Sequence, residues 1–254
     1  MRKFIFLLAL LFNLPGQAQP AADGQIKWVS AELPPYLWLQ QNAPQGYVHE
    51  LITAMSAQLG RKPNLSIYPW ARAVKMTKDG ETYGVFPLDR TAERETSFKW
   101  LIHLTSTPNR FFGKRTMATG SINIEIASLK QLRGLRVGIV RGSSLEQELH
   151  AQNFRNIRFE KDYQSLLKLL QLGGLDAIYS GYPVMVSAIE EFGYRLEDFT
   201  TGLTMGGAEL YMASSLGVSE EEERAWRRAY ENLQKDGTVQ KLQKKYFSWE
   251  QKSR

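Results

Sequence analysis

A strand-helix-strand-helix-strand pattern occurs twice in this chain, and nothing else in the sequence limits its fold as strongly. The first copy opens with IKWVSAEL (26–33) and a helix through GYVHELITAMSAQLG (46–60). LSIYPW (65–70), a helix in ARAVKMTKDG and the strand YGVFPL (83–88) complete it. In its first helix Val48, Leu51, Ile52 and Met55 recur at helical spacing, and Gly60 ends the run. The second copy has RVGIV (136–140), a helix from Ser144, IRFEK (157–161), YQSLLKLLQLGG (163–174) and DAIYS (176–180). There Tyr163, Leu166, Leu169 and Leu170 share one face, and Gly173 and Gly174 terminate it. Second and third strands keep the same interval in both copies: Asn64 to Tyr83 and Ile157 to Asp176 are each 19 positions apart. Such alternation predicts mostly parallel sheets covered by helices. The expected fold is therefore α/β: two lobes of similar plan with a cleft between them.

Two extended segments, RFFGKR (110–115) and AELYMASS (208–215), are candidate links between the lobes. If the second returns to the first lobe, lobe 1 is discontinuous (24–112 plus 208–254), lobe 2 is 113–207, and the two crossings form a hinge. The chain closes with two helices. SEEEERAWRRAYENLQ has Ser219 as N-cap, Glu222 to complete a capping box, and acids at the positive end of the helix dipole. Gly237 separates it from TVQKLQKKYFSWE.

The N-terminus sets basic MRKF before apolar IFLLALLFNL and small PGQA. An apolar run of about 10 residues falls short of the roughly 20 that span a bilayer. Residues 1–18 are therefore expected to be a signal peptide cleaved after Ala18, and the mature protein periplasmic and soluble. The chain has no cysteine, which excludes disulfides and thiolate metal sites. His49, His103 and His150 form no H-x-x-x-H pair, so neither a metal nor a cofactor is expected. The formal charge of +6 is spread among interspersed acids and bases, unlike the basic stripe of a nucleic-acid binder.

Four stretches carry candidate chemistry. RGSSLE (141–146) follows a strand and opens a helix; Gly142 permits a tight turn, and Ser143 and Ser144 offer hydroxyls beside free backbone N–H groups. The same stretch also reads as a plain serine N-cap. PPYLW (34–38) and YPWAR (68–72) set Tyr36, Trp38 and Trp70 at strand ends, where open α/β sheets bind ligands and where aromatic residues also cap the core. RTAERETSF (90–98) puts Arg94 just past the third strand, facing RGSS across the cleft; a guanidinium fork opposite a helix start makes a carboxylate site. Neither G-x-x-x-x-G-K nor G-x-S-x-G occurs.

Together these stretches resemble the family 3 extracellular solute-binding proteins of ABC importers. The resemblance rests on PPY, G-Y-x-x-E-L (46–51), TAER-x-x-x-F (91–98), LRGLRVGIVRGSS (132–144), LGGLDAI (172–178) and LQKDGTVQKLQKKYF (233–247). It implies a monomer whose lobes close over a small, carboxylate-bearing ligand and present it to an inner-membrane permease. By the same resemblance Arg94 binds the carboxylate with Thr91, Ser143 and Ser144 add donors, and Tyr36 touches the ligand body. Trp38, Trp70, Asp89 and Tyr182 complete the candidate set. Amino-acid binders of this family carry an acid where this chain has Gly181, which leaves Asp89 or Glu32 to meet an ammonium group. Two other functions fit the same scaffold: a dehydratase-like enzyme using Glu32, Asp89 or His103, and a ligand-binding partner of a membrane sensor.

Overall fold

The apolar face of KWVS becomes β1 (Lys27–Ser30), with three of its four residues buried. The computed structural model describes residues 24–115, 123–125 and 127–247, and the expected signal peptide lies outside them. A short hairpin follows, β2 (Trp38–Gln40) and β3 (Ala43–Gln45), then α1 (Tyr47–Gln58), β4 (Leu65–Ile67), α2 (Trp70–Asp79) and β5 (Tyr83–Asp89). The long β6 (Lys99–Lys114) leads to α3 (Leu129–Leu132), β7 (Val137–Val140), α4 (Leu145–Ala151) and β8 (Ile157–Glu160). After α5 (Tyr163–Gln171), β9 (Ala177–Gly181) and α6 (Tyr182–Glu191), the equally long β10 (Phe199–Ser214) runs back to α7 (Glu220–Lys235) and α8 (Thr238–Tyr246).

Eight strands make one mixed sheet in the order β4-β1-β5-β10-β6-β9-β7-β8. Its two flanks repeat one plan, as the sequence periodicity predicts. β1 lies parallel between β4 and β5, and β7 lies parallel between β8 and β9. The centre differs from the expectation of simple linkers. RFFGK and AELYMAS belong to two 16-residue strands, β6 and β10, which pair antiparallel along their length. β10 also pairs with β5, and β6 with β9, so this ribbon joins both flanks. Its register breaks around Thr204, where Gly206 takes a positive φ of 82° and Pro108, which has no N–H, sits opposite Gly207. Among the described residues no helix is long and apolar enough to cross a membrane.

The larger buried core gathers Trp28, Tyr47, Leu51 and Phe86 from one flank with Leu166, Leu167 and Met185 from the other. Phe111, Phe154 and Tyr179 form a second core on the far flank. The helix start at Ser219 departs from its expected form. Ser219 Oγ accepts from Glu222 N (3.2 Å), but the Glu222 carboxylate does not return to the cap. It accepts instead from Ile26 N (3.1 Å), Trp226 Nε1 (2.9 Å) and Arg61 Nη1 (2.6 Å), tying α7 to β1 and to the turn after α1. Trp226 then packs edge-on against Trp28, with centroids 5.1 Å apart.

Replacing Glu222 by alanine strips three buried or half-buried donors of one acceptor. Unmet buried donors and a broken ion pair cost about 2–4 kcal/mol. Urea denaturation of Glu222→Ala is expected to show that loss with an unchanged m-value; a loss below about 0.5 kcal/mol would mean that water replaces the carboxylate.

Candidate functional site

The site lies where β5 and β7 end and face each other. β5 closes on Asp89, and the chain turns at once: Arg94 N donates to Thr91 O (3.0 Å) and Thr91 Oγ1 (3.3 Å). This turn aims the Arg94 guanidinium back over the strand end. Its Nη1 donates to Asp89 O (3.2 Å) and its Nη2 to Gly142 O (3.1 Å), in the turn after β7. Burial lowers the Arg94 pKa, opposed by the negative charges of Asp89 and Glu93. The guanidinium nonetheless stays charged, because its intrinsic pKa is too high to be overcome.

Opposite it, Gly142 adopts φ 79°, and a β-carbon there would lie 3.0 Å from Ala71 Cβ. Glycine at this positive φ lets the turn lie this close to the start of α2. Ser144 begins α4 without capping it. Its hydroxyl crosses instead to Asp89 Oδ2, at 2.6 Å. Burial pushes the Asp89 carboxyl above its usual range, while the Ser144 bond and the Arg94 charge pull it back. Ser143 Oγ is buried with no hydrogen-bond partner among the described residues.

These groups enclose a cavity of ≈ 80 Å³. One water needs roughly 10–15 Å³, so the space takes a small organic molecule in part or a few waters. Trp70, Pro87, Asp89, Arg94 and Leu210 wall one side; Ser143, Ser144, Tyr163, Gly181 and Val184 wall the other. Thr107 and Asn109, on β6 where it passes between the flanks, form the back. Arg94, Ser143 and Ser144 also border an adjoining polar groove of ≈ 250 Å³.

Of the expected site residues, Trp70, Asp89, Arg94, Ser143 and Ser144 come together on this wall. Tyr36, Trp38, Thr91 and Tyr182 do not. Tyr36 is fully buried with its ring 5.7 Å from Phe247, so it is a core residue and the expectation of ligand contact is corrected. Trp38 packs edge-on against Tyr246, and Tyr182 stacks on Phe112 beneath the Arg110 guanidinium. Thr91 acts on the turn that carries Arg94. Glu32 accepts from Leu39 N and His103 pairs with Glu209 on an exposed edge; both are off the wall. The sequence reading missed Thr107, Asn109 and Tyr163. The first two sit in STPNR, just ahead of the link expected at 110–115, and they enter the site only because β6 runs through that stretch.

A cavity lined from both flanks of an α/β sheet, with a guanidinium and two serines at strand ends, defines a two-lobed binding fold. The chain belongs to the bacterial extracellular solute-binding proteins, family 3, whose model matches residues 27–248. No curated protein sequence matches it significantly. Among solved structures, an ancestral arginine-binding protein bound to glutamine is 21% identical; the match covers 88% of this chain and 98% of that one, with a TM-score of 0.75. A histidine kinase sensor domain with similarity to periplasmic binding proteins is 20% identical, with 87% and 95% covered and a TM-score of 0.76. The arginine-, lysine-, histidine-binding protein ArtJ from the thermophilic bacterium Geobacillus stearothermophilus is 15% identical, with 88% and 95% covered and a TM-score of 0.76. Likenesses at these identities are likenesses of fold.

The Gly142 contact generates a prediction. Gly142→Ala adds a left-handed backbone cost of about 1–2 kcal/mol and a methyl against Ala71. It is expected to push the Gly142 turn away from the start of α2, raising the radius of gyration in solution scattering and speeding amide exchange at Ser143 and Ser144. An unchanged radius would mean that Ala71 yields locally.

Proposed function

We propose that this protein captures a small, carboxylate-bearing molecule of amino-acid type by closing its two lobes, and delivers it to an ABC permease. One observation carries this reading. The buried Arg94 guanidinium faces the cavity with only backbone carbonyls as partners, beside the unpartnered Ser143 hydroxyl. A carboxylate matches that donor set, and charge-assisted bonds in a desolvated cleft are the strong ones. The irregular midpoints of β6 and β10 are the two hinge crossings, which divides lobe 1 from lobe 2 near residues 107 and 206. Amino-acid ligands in the neighbours' names support the ligand class. Export through residues 1–18 places the protein in the periplasm as a monomer. We read the protein as a binder rather than an enzyme; of the three candidate acid-base residues, only Asp89 borders the cavity, where Ser144 engages it.

The test is a thermal-shift panel of the standard amino acids and small carboxylates, followed by calorimetry on variants. Removing one partner of a desolvated charge pair costs about 2–5 kcal/mol, or roughly 30-fold to several thousand-fold in affinity. Arg94→Lys is expected to weaken binding severely, and Arg94→Ala to nearly abolish it. Arg90 differs: it pairs with Glu95 at the surface (2.9 and 2.5 Å) and lies over Trp100 and Tyr211. Arg90→Ala is expected to change affinity less than about threefold, as a screened surface pair should. Equal losses at both arginines would replace the clamp with a diffuse basic patch. A panel without a single binder would overturn the reading.

A further inference from the structure

The back wall of the cavity contains a polar group held from behind by a carboxylate. Asn109 lies on β6, 1% exposed, directly across the ladder from Gly181. Its Nδ2 donates to both oxygens of Glu148, at 3.0 and 3.1 Å. Glu148 stands on α4, outside the wall, and also accepts from the Tyr179 hydroxyl at 2.5 Å. A carboxylate only accepts, so this arrangement fixes which way the amide faces. The NH₂ group must point to Glu148 and the carbonyl oxygen away from it.

The carbonyl therefore turns toward Gly181, which lies with Asn109 on the cavity wall. A β-carbon at Gly181 would lie 3.6 Å from Asn109 Oδ1 and 3.8 Å from Thr107 Oγ1. Thr107 donates its own proton to Pro108 O at 3.4 Å, so it too offers an acceptor there. Two acceptors thus converge beside a residue with no side chain. Tying an amide NH₂ to a carboxylate polarises the amide and makes its oxygen a better acceptor. Asn109 passes part of the Glu148 charge to the cavity without placing a carboxylate in it.

We propose that Asn109 Oδ1, oriented by Glu148 and seconded by Thr107 Oγ1, is the subsite for an ammonium group of a ligand whose carboxylate sits on Arg94. Asn109 is the contact residue, and Glu148 is a positioning residue that acts through it. The inference rests on the proposed binding of amino-acid-type ligands, and it names what reads their second group.

The probes are the tightest-binding standard amino acid of the panel and the same carboxylate lacking its α-amino group, compared by calorimetry. Hydrogen bonds to a charged group correspond to about tenfold or more in affinity. Wild-type protein is expected to prefer the amino acid by that factor. Asn109→Ala should bring the preference close to one while changing affinity for the des-amino compound less than about threefold. Glu148→Gln should lower it likewise, because one glutamine NH₂ replaces an acceptor and re-pairs the network. In the Asn109→Ala background, Glu148→Gln should add nothing further, which a merely structural glutamate would not produce. Asn109→Ser serves where the alanine variant folds poorly by circular dichroism.

If wild type binds amino acid and des-amino compound equally, or if both variants keep the preference, this subsite is wrong while the Arg94 clamp stands. If neither compound class binds wild type, the proposed function falls, and the subsite with it.

Discussion

The antiparallel pairing of β6 with β10 is the interaction on which the other features depend. Each strand is 16 residues long, and together they are the only described strands that reach both flanks of the sheet. β5 is registered on β10, with Asp89 opposite Leu210, and β9 on β6, with Gly181 opposite Asn109. The Arg94 turn follows β5, while β9 in turn positions β7 and the Ser143 turn. The distance across the cavity is therefore set by one ribbon. That ribbon loses regular register around Thr204, and the site sits beside the break. Strand ends registered on both sides of an irregular centre thus form the two walls of the cavity.

The flanks were legible in the sequence because each depends on local rules. β1, β4 and β5, like β7, β8 and β9, are short apolar runs separated by amphipathic helices, and nearest-neighbour periodicity suffices to place them. The central ribbon was not. Pro108, Gly202, Gly206 and Gly207 break strands locally, and they lie just ahead of the links expected at 110–115 and 208–215. Their roles as bulge and crossing follow from pairing partners about 100 residues away, which no local pattern encodes. Glu222 teaches the same lesson at smaller scale. Its position relative to Ser219 predicts a capping box, yet Ile26, Arg61 and Trp226 compete for the carboxylate and win.

The site divides along the same line. Asp89, Arg94, Ser143 and Ser144 were findable because they follow strand ends at a common edge, and polar residues there face the cleft. Aromatic residues at strand ends carry no such direction. Tyr36 turns inward because Phe247, from the last described residue of the chain, closes over it and over Tyr47. Trp70, equally aromatic, remains on the wall because it starts α2 at the edge of the cavity. Glu148 had no signal at all: in sequence it is one of two acids in a short helix, and its partners come from β6 and β9.

The arrangement of charges explains how a half-buried arginine borders the cavity without pairing with its acidic neighbour. Asp89 and Arg94 are five residues apart and both border the same space, so a direct ion pair is the obvious alternative. Among the described residues no carboxylate forms an ion pair with Arg94; its guanidinium donates to the Asp89 and Gly142 carbonyl oxygens. The Asp89 carboxylate is engaged by the Ser144 hydroxyl from across the cleft. A closed Arg94–Asp89 pair would have to be broken before a ligand carboxylate could enter, cancelling much of the Coulomb gain. Carbonyl partners satisfy the guanidinium geometry while leaving its charge uncompensated at short range. Because Gly142 O and Ser144 Oγ belong to the opposite turn, they reach Arg94 and Asp89 only when the turns meet. The contact between the two turns thereby holds the acid and the base of the cavity apart.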